Sequence, residues 1–177
     1  RISPTLPVSE ARYVNVEHAP EPGVSDLSMV APVGLAAGFD RDGKFLRQAA
    51  DWGFGFLEIG TVTPTPQPGH NSGVSHVAEV LHAHTAPTRR LPIGVNVGTS
   101  ANSPPERAWR DYARAVTALW SCADYVVLNF SSQSASVLRN PDRRGDLIDL
   151  LERVQRCCTC LRASSGRRTP VLIKWPV

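Results

Sequence analysis

From residue 31 onward the chain repeats one unit five times: a short apolar run, a polar residue at its far end, and a stretch of helical periodicity. Few architectures tolerate that pattern. The runs fall at 33–36, 54–59, 93–97, 125–130 and 171–174. They are apolar on alternate and intervening positions alike, so each strand must be covered on both faces, and helical crossovers between parallel strands do this. The intervening periodicity is carried by Phe45, Leu46, Ala49 and Ala50, with Gly53 as a stop, and then by Val74, Val77, Ala78 and Leu81. It continues with Trp109, Tyr112, Ala113, Val116, Leu119 and Trp120, and with Leu147, Leu150, Leu151, Val154, Cys158 and Leu161. Ser103-Pro104-Pro105-Glu106 is predicted to start the third helix as a capping box with proline at its first position.

Two α/β architectures fit this alternation. A doubly wound sheet that binds a dinucleotide carries G-x-G-x-x-G between its first strand and helix. Here Gly53-Phe54-Gly55 precedes a strand instead, with Gly60 too far on. The strand ends favour a (β/α)8 barrel. Gly38-Phe39-Asp40, Gly60-Thr61, Asn96, Asn129 with Ser131-Ser132, and Lys174 would converge on one mouth, where barrels of parallel strands place their active sites. Residues 1–30 are proline-rich and aperiodic, an irregular lead-in with room for one short strand, and residues 31–177 form the barrel portion.

Composition narrows the function classes. With 177 residues, 42% of them hydrophobic, the chain can bury one sizeable core. Its net charge of +3 is too small and too scattered to indicate nucleic acid, and the arginine pairs at 89 and 90, 143 and 144, and 167 and 168 read as solvated loop charges. Cysteines 122, 157, 158 and 160 lack the two C-x-x-C pairs of a structural zinc site and read as packing thiols, and His82 and His84 lack a third ligand, so no metal is expected. No apolar run is long enough to span a bilayer, and no signal segment opens the chain. A cytoplasmic protein is expected, with peripheral membrane association left open.

Long ordered stretches of this chain resemble the dihydroorotate dehydrogenases, specifically their class 2 branch. They are Pro32-Val33-Gly34-Leu35-Ala36-Ala37-Gly38-Phe39-Asp40, Gly53-Phe54-Gly55-Phe56-Leu57-Glu58-Ile59-Gly60-Thr61-Val62-Thr63-Pro64 and Pro92-Ile93-Gly94-Val95-Asn96-Val97-Gly98, followed by Ala123-Asp124-Tyr125, Asn129-Phe130-Ser131-Ser132 and Val171-Leu172-Ile173-Lys174. The resemblance implies a TIM barrel, of which about five β/α units are visible, holding FMN over its strand ends and oxidising dihydroorotate or a related small ring by hydride transfer to the flavin. It implies that Ala36, Ala37 and Gly38 lie against the flat ring, that Thr61, Asn96 and Asn129 hydrogen-bond around it, and that Lys174 sits near its pyrimidine edge. Ser132 takes the place of the proton-accepting serine. Arg41, Asn71 and Ser134 are the expected substrate contacts, and quinone is the electron acceptor that the family implies.

Departures from the family pattern lie on the substrate side. The paired serines are followed by Gln133-Ser134-Ala135-Ser136-Val137-Leu138-Arg139 where the family has Pro-Asn-Thr-x-Gly-Leu-Arg, and Arg41 stands where it has lysine. After Pro66-Gln67-Pro68-Gly69 the family has a longer loop, whereas His70-Asn71-Ser72-Gly73 follows here at once. Either the loop was deleted in evolution, or residues between 70 and 71 are missing from the sequence as given. The second is the expectation, together with further residues after 177, because the chain starts on Arg1 and stops straight after a strand. A catalytically inactive barrel serving as a scaffold or partner-binding subunit is the alternative function.

Overall fold

The computed structural model describes residues 12–15, 27, 29, 31–84 and 91–176. Most of the lead-in and the pair Arg89 and Arg90 lie outside the described residues. Four strands, β2 (Leu57–Val62), β3 (Ile93–Val97), β4 (Tyr125–Asn129) and β5 (Val171–Trp175), pair in parallel and in sequence order. Helices α2 (Val74–Ala83), α3 (Ala108–Leu119) and α4 (Arg144–Ser165) form the crossovers, and the short α1 (Leu46–Asp51) precedes β2. A short strand in the lead-in, β1 (Arg12–Asn15), runs antiparallel along β5, giving the order β1-β5-β4-β3-β2. The repeating β/α unit expected from the sequence is present as an arc of parallel staves.

The first stave is reduced to one bridge. Leu35 pairs in parallel with Leu57, its amide donating to the Phe56 carbonyl at 2.9 Å and its carbonyl accepting from the Glu58 amide at 2.8 Å. Among the described residues this segment has a sheet partner on the β2 side alone, and Val33 is 62% exposed.

The sheet's two faces do different work, which explains why its strands look apolar throughout. On one face Ile59, Val95, Val126 and Leu128 pack with Val77, Leu81, Val116, Leu119, Leu150 and Val154 of the helices, all essentially buried. The opposite face carries a small cluster of Tyr125, Val127 and Leu172, against which Leu27 and Phe56 pack. Beside that cluster this face presents polar groups, and strand period two decides which residues they are.

Two helical expectations are corrected. The residues at 103–106 form no capping box: Pro105–Arg107 is a 3-10 turn preceded by Pro104, with no side-chain cap, and α3 starts only at Ala108. Pro105 holds Pro104 extended, at ψ 141°, so the turn starts one residue later than expected and Pro104, which has no side-chain oxygen, stands in the cap position instead of Ser103. Phe45 is half exposed instead of inward, because α1 is a helix of six residues that buries only Leu46 and Ala49. Of the four thiols, Cys122 and Cys158 are buried while Cys160 is exposed, so the packing role holds for part of the set. Among the described residues no helix is long and apolar enough to cross a membrane.

Candidate functional site

The polar strand ends are joined by hydrogen bonds across three strands. Thr61 Oγ1 donates to Asn96 Oδ1 at 2.8 Å, and Asn129 Nδ2 donates to Thr61 Oγ1 at 3.0 Å. Asn129 Oδ1 in turn accepts from the Ser131 amide at 2.9 Å and from Ser131 Oγ at 2.6 Å. At the other end Asn96 Nδ2 donates to Glu58 Oε1 at 2.8 Å. Asn96 and Asn129 are buried, so their amides would cost stability if left unpaired, and the network satisfies them. Tyr112 reaches up from α3 to donate its hydroxyl to the Asn129 carbonyl at 3.0 Å, and burial raises its phenol pKa, keeping the group a proton donor.

Beside this network opens a cavity of about 600 Å³. Ala37, Gly38 and Thr61 line one part of it, Arg41, His70 and Asn71 another, and Ser132, Gln133, Ser134 and Thr99 a third. No carboxylate lines it, whereas one arginine does, a balance that suits an anionic ligand. Ala36 is exposed one residue before the lining begins. Gly38 has φ +114°, and a Cβ built on it would meet nothing within 4 Å, so the backbone there is open to a flat group. Ser132 is half-buried, and its Oγ lies 3.2 Å from Ser134 Oγ, the first residue pair of the 3-10 run Gln133–Arg139 and its approach.

Of the expected site residues, Ala37, Gly38, Arg41, Thr61, Asn71, Ser132 and Ser134 thus share one cavity wall. Asn96 and Asn129 stand behind it, tied to Thr61. Lys174 is half-buried on β5 in register with Asn129, away from the cavity lining and within electrostatic reach of Glu58. Asn71 is largely committed elsewhere: its Oδ1 accepts from Thr63 Oγ1 at 3.1 Å and from the Gly73 amide at 3.0 Å, leaving Nδ2 as its group for a ligand. The chain runs through 70–71 as a tight turn, with Gln67 and Asn71 exchanging amide–carbonyl bonds at 2.9 and 3.1 Å.

One acidic residue escaped the sequence reading and another has a different task from the one expected. Glu58 is buried at 3% exposure near the start of β2; burial raises its pKa, while the Asn96 hydrogen bond and the Lys174 charge pull it back down. A lone carboxylate inside an apolar strand was the available signal. Asp40 reads as a polar strand tip, yet it serves the loop. Its Oδ1 accepts from the Gly43 and Lys44 amides at 2.8 and 3.0 Å and its Oδ2 from the Phe45 amide at 2.9 Å, holding the entry to α1.

Comparison with known proteins converges on one family. Residues 22–72 match the family model described as dihydroorotate dehydrogenase. The chain is 36% identical over 169 residues to the dihydroorotate dehydrogenase (quinone) of Halorhodospira halophila, covering 85% of this chain and 49% of the relative. It is 38% identical over 173 residues to the enzyme of the same name from Methylococcus capsulatus, covering 85% and 50%. The crystal structure of ligand-free dihydroorotate dehydrogenase from Eimeria tenella superposes with a TM-score of 0.67 at 26% identity, over 85% of this chain and 52% of that one. The ferulenol complex from the same organism gives a TM-score of 0.64 at 29% identity, over 79% and 44%. The chain therefore spans about half the length of the relatives it matches. In both alignments the aligned length exceeds the part of this chain it covers, so the relatives carry positions that this chain does not have.

Proposed function

We propose that this chain, a class 2-like member of the dihydroorotate dehydrogenase family, forms the flavin-facing and proton-accepting part of an oxidoreductase acting on dihydroorotate or a related small anionic ring. The observation that carries the reading is the hydrogen-bonded row Thr61, Asn96 and Asn129 standing directly behind a strip without bulky side chains at Ala37 and Gly38. A flat aromatic ring needs that combination of an unobstructed backbone and fixed in-plane donors and acceptors. The donor set fits the ring of FMN, which when bound would supply the hydride acceptor.

The chain's own groups have separable tasks. Ala36, Ala37 and Gly38 form the platform for the ring's plane. Thr61, Asn96 and Asn129 orient its edge. Lys174 places a cation where a reduced, negatively charged ring is stabilised. Ser132 Oγ faces the substrate and accepts its proton. A serine is a weak base at neutral pH, so the proton must move on as it arrives, and Ser134 Oγ at 3.2 Å is the first group placed to take it. Arg41 offers a fork of donors for the substrate carboxylate, with Asn71 Nδ2 and Ser134 beside it.

The named relatives are quinone enzymes, and a quinone acceptor is proposed here as well. Phe39, Phe45 and Trp52 form an exposed triangle next to Gly38, with ring centroids 5.4 to 5.9 Å apart, a surface suited to a planar apolar acceptor or to a membrane surface that delivers one. One observation favours the scaffold reading instead: the 3-10 run Gln133–Arg139 has Ser134 where the family places an asparagine after its serine pair, and its one side-chain amide, Gln133, stands a position earlier. Flavin binding separates the two. Removing one charged partner in Lys174→Ala is expected to weaken flavin binding roughly tenfold and to make the bound flavin harder to reduce. Equilibrium titration and redox potentiometry of both proteins check this. Equal affinity and equal potential would remove Lys174 from the site, and a wild-type chain that takes up no flavin would favour the scaffold.

A further inference from the structure

The hydrogen bonds of the strand-tip network all run in one direction. Ser131 donates to Asn129 Oδ1, Asn129 Nδ2 donates to Thr61, Thr61 donates to Asn96, and Asn96 Nδ2 donates to Glu58. A carboxamide can turn either end to a neighbour, and a hydroxyl has a single proton to give, so each link constrains the next. The Ser131 backbone amide can only donate, which turns Asn129 Oδ1 toward it and Asn129 Nδ2 toward Thr61. Thr61 Oγ1 has then accepted, and spends its proton on Asn96 Oδ1. Asn96 Nδ2 is left pointing down β2, and the row closes only if an acceptor waits there. Glu58 Oε1 is that acceptor, buried and 2.8 Å away.

We propose that Glu58 is the terminal acceptor that fixes which way the Asn96 carboxamide faces, and with it the direction of the Thr61 hydroxyl, and is thereby a positioning residue for the ring-binding edge; this role rests on the flavin reading above. Thr61 Oγ1 has a second lone pair, so it could accept from Asn96 as readily as donate to it, and the links from Ser131 do not settle which. Glu58 Oε1 settles it by accepting from Asn96 Nδ2, which leaves Asn96 Oδ1 for the Thr61 proton. Glu58→Met, of similar length but without an oxygen, removes that acceptor and frees Asn96 to turn over. Glu58→Gln keeps an amide oxygen that can accept in the same place.

The test uses the full chain with riboflavin as probe, since its ring system is that of FMN and it carries no phosphate. The side-chain amide resonances of Asn96 and Asn129 are followed by NMR in wild type, Glu58→Met and Glu58→Gln, without ligand, and riboflavin affinity is measured by fluorescence. Glu58→Met is expected to shift or double the Asn96 amide signals and to weaken riboflavin roughly tenfold, the consequence of losing one or two well-placed hydrogen bonds. Glu58→Gln, which keeps an acceptor oxygen, is expected to retain a single set of Asn96 signals and near wild-type affinity. Unchanged Asn96 signals and unchanged affinity in Glu58→Met would overturn the proposal, as would a change in melting temperature alone. If wild type binds no riboflavin, the flavin reading fails by itself, and the amide signals still decide whether Glu58 orients the row.

Discussion

Turnover of dihydroorotate by the flavin-loaded protein is expected to fall about 10²- to 10⁴-fold in Ser132→Ala, the usual worth of a positioned proton acceptor. Flavin affinity should stay near the wild-type value, because in the proposed arrangement Ser132 meets the substrate while Ala37 and Gly38 meet the ring. The split between an intact flavin spectrum and lost turnover is what identifies a proton-handling group. Steady-state kinetics with spectral titration of both proteins reads it directly. Wild-type turnover in Ser132→Ala would take the serine out of the mechanism and leave Ser134 or a solvent molecule to accept the proton.

Gly60→Ala should be the most damaging small substitution in the sheet. Gly60 lies at φ +135°, a conformation that side chains other than glycine rarely adopt, and a Cβ there would run into the backbone carbonyl oxygen of Asn96 on the neighbouring strand. The obstacle is the backbone and Cβ of Asn96, which cannot swing aside as a flexible side chain would, so β2 and β3 would have to separate at the point where their register already shifts. Together the backbone strain and the overpacking are expected to cost about 3 kcal/mol or more. Gly38→Ala is the control. It shares the positive φ but meets open space, so it should show the milder backbone cost of about 1–2 kcal/mol and a methyl group in the path of the flat ring. Chemical denaturation of the two variants compares them, and equal stability losses would mean that close packing of β2 on β3 is not what requires glycine at position 60.

Much of this arrangement could be read from residue order. Apolar runs closing on Thr61, Asn96 and Asn129 located three strand ends, since strand length and period are local properties. What the runs could not show is which side chains meet. Thr61 and Asn129 are separated by 68 positions, and only the parallel register β2-β3-β4 brings them to 3.0 Å. Glu58 was overlooked for a related reason. Both faces of the strands were expected to be covered, but the partner that makes a buried carboxylate tolerable, Asn96, lies 38 positions further on and is met only through the β2-β3 register. The expected capping box at Ser103 failed because a proline followed by a proline is held extended, which moves the start of the turn past Pro104 and leaves Ser103 one position too early to cap. In the first stave the sequence is strand-like from Val33 to Ala36, yet the structure forms a single bridge there, at Leu35.

The central claim is that Gly38, Thr61, Asn96, Asn129 and Lys174 surround one flat ring. Titrating the isotopically labelled chain with FMN while recording backbone and side-chain amide NMR signals addresses it most directly. Saturable shifts concentrated at Ala37, Gly38, Thr61, Asn96, Asn129 and Lys174, with the outer faces of α2 and α3 unmoved, are the expected outcome. Shifts that leave those six residues untouched, or that fall only on the helical surface, would contradict it.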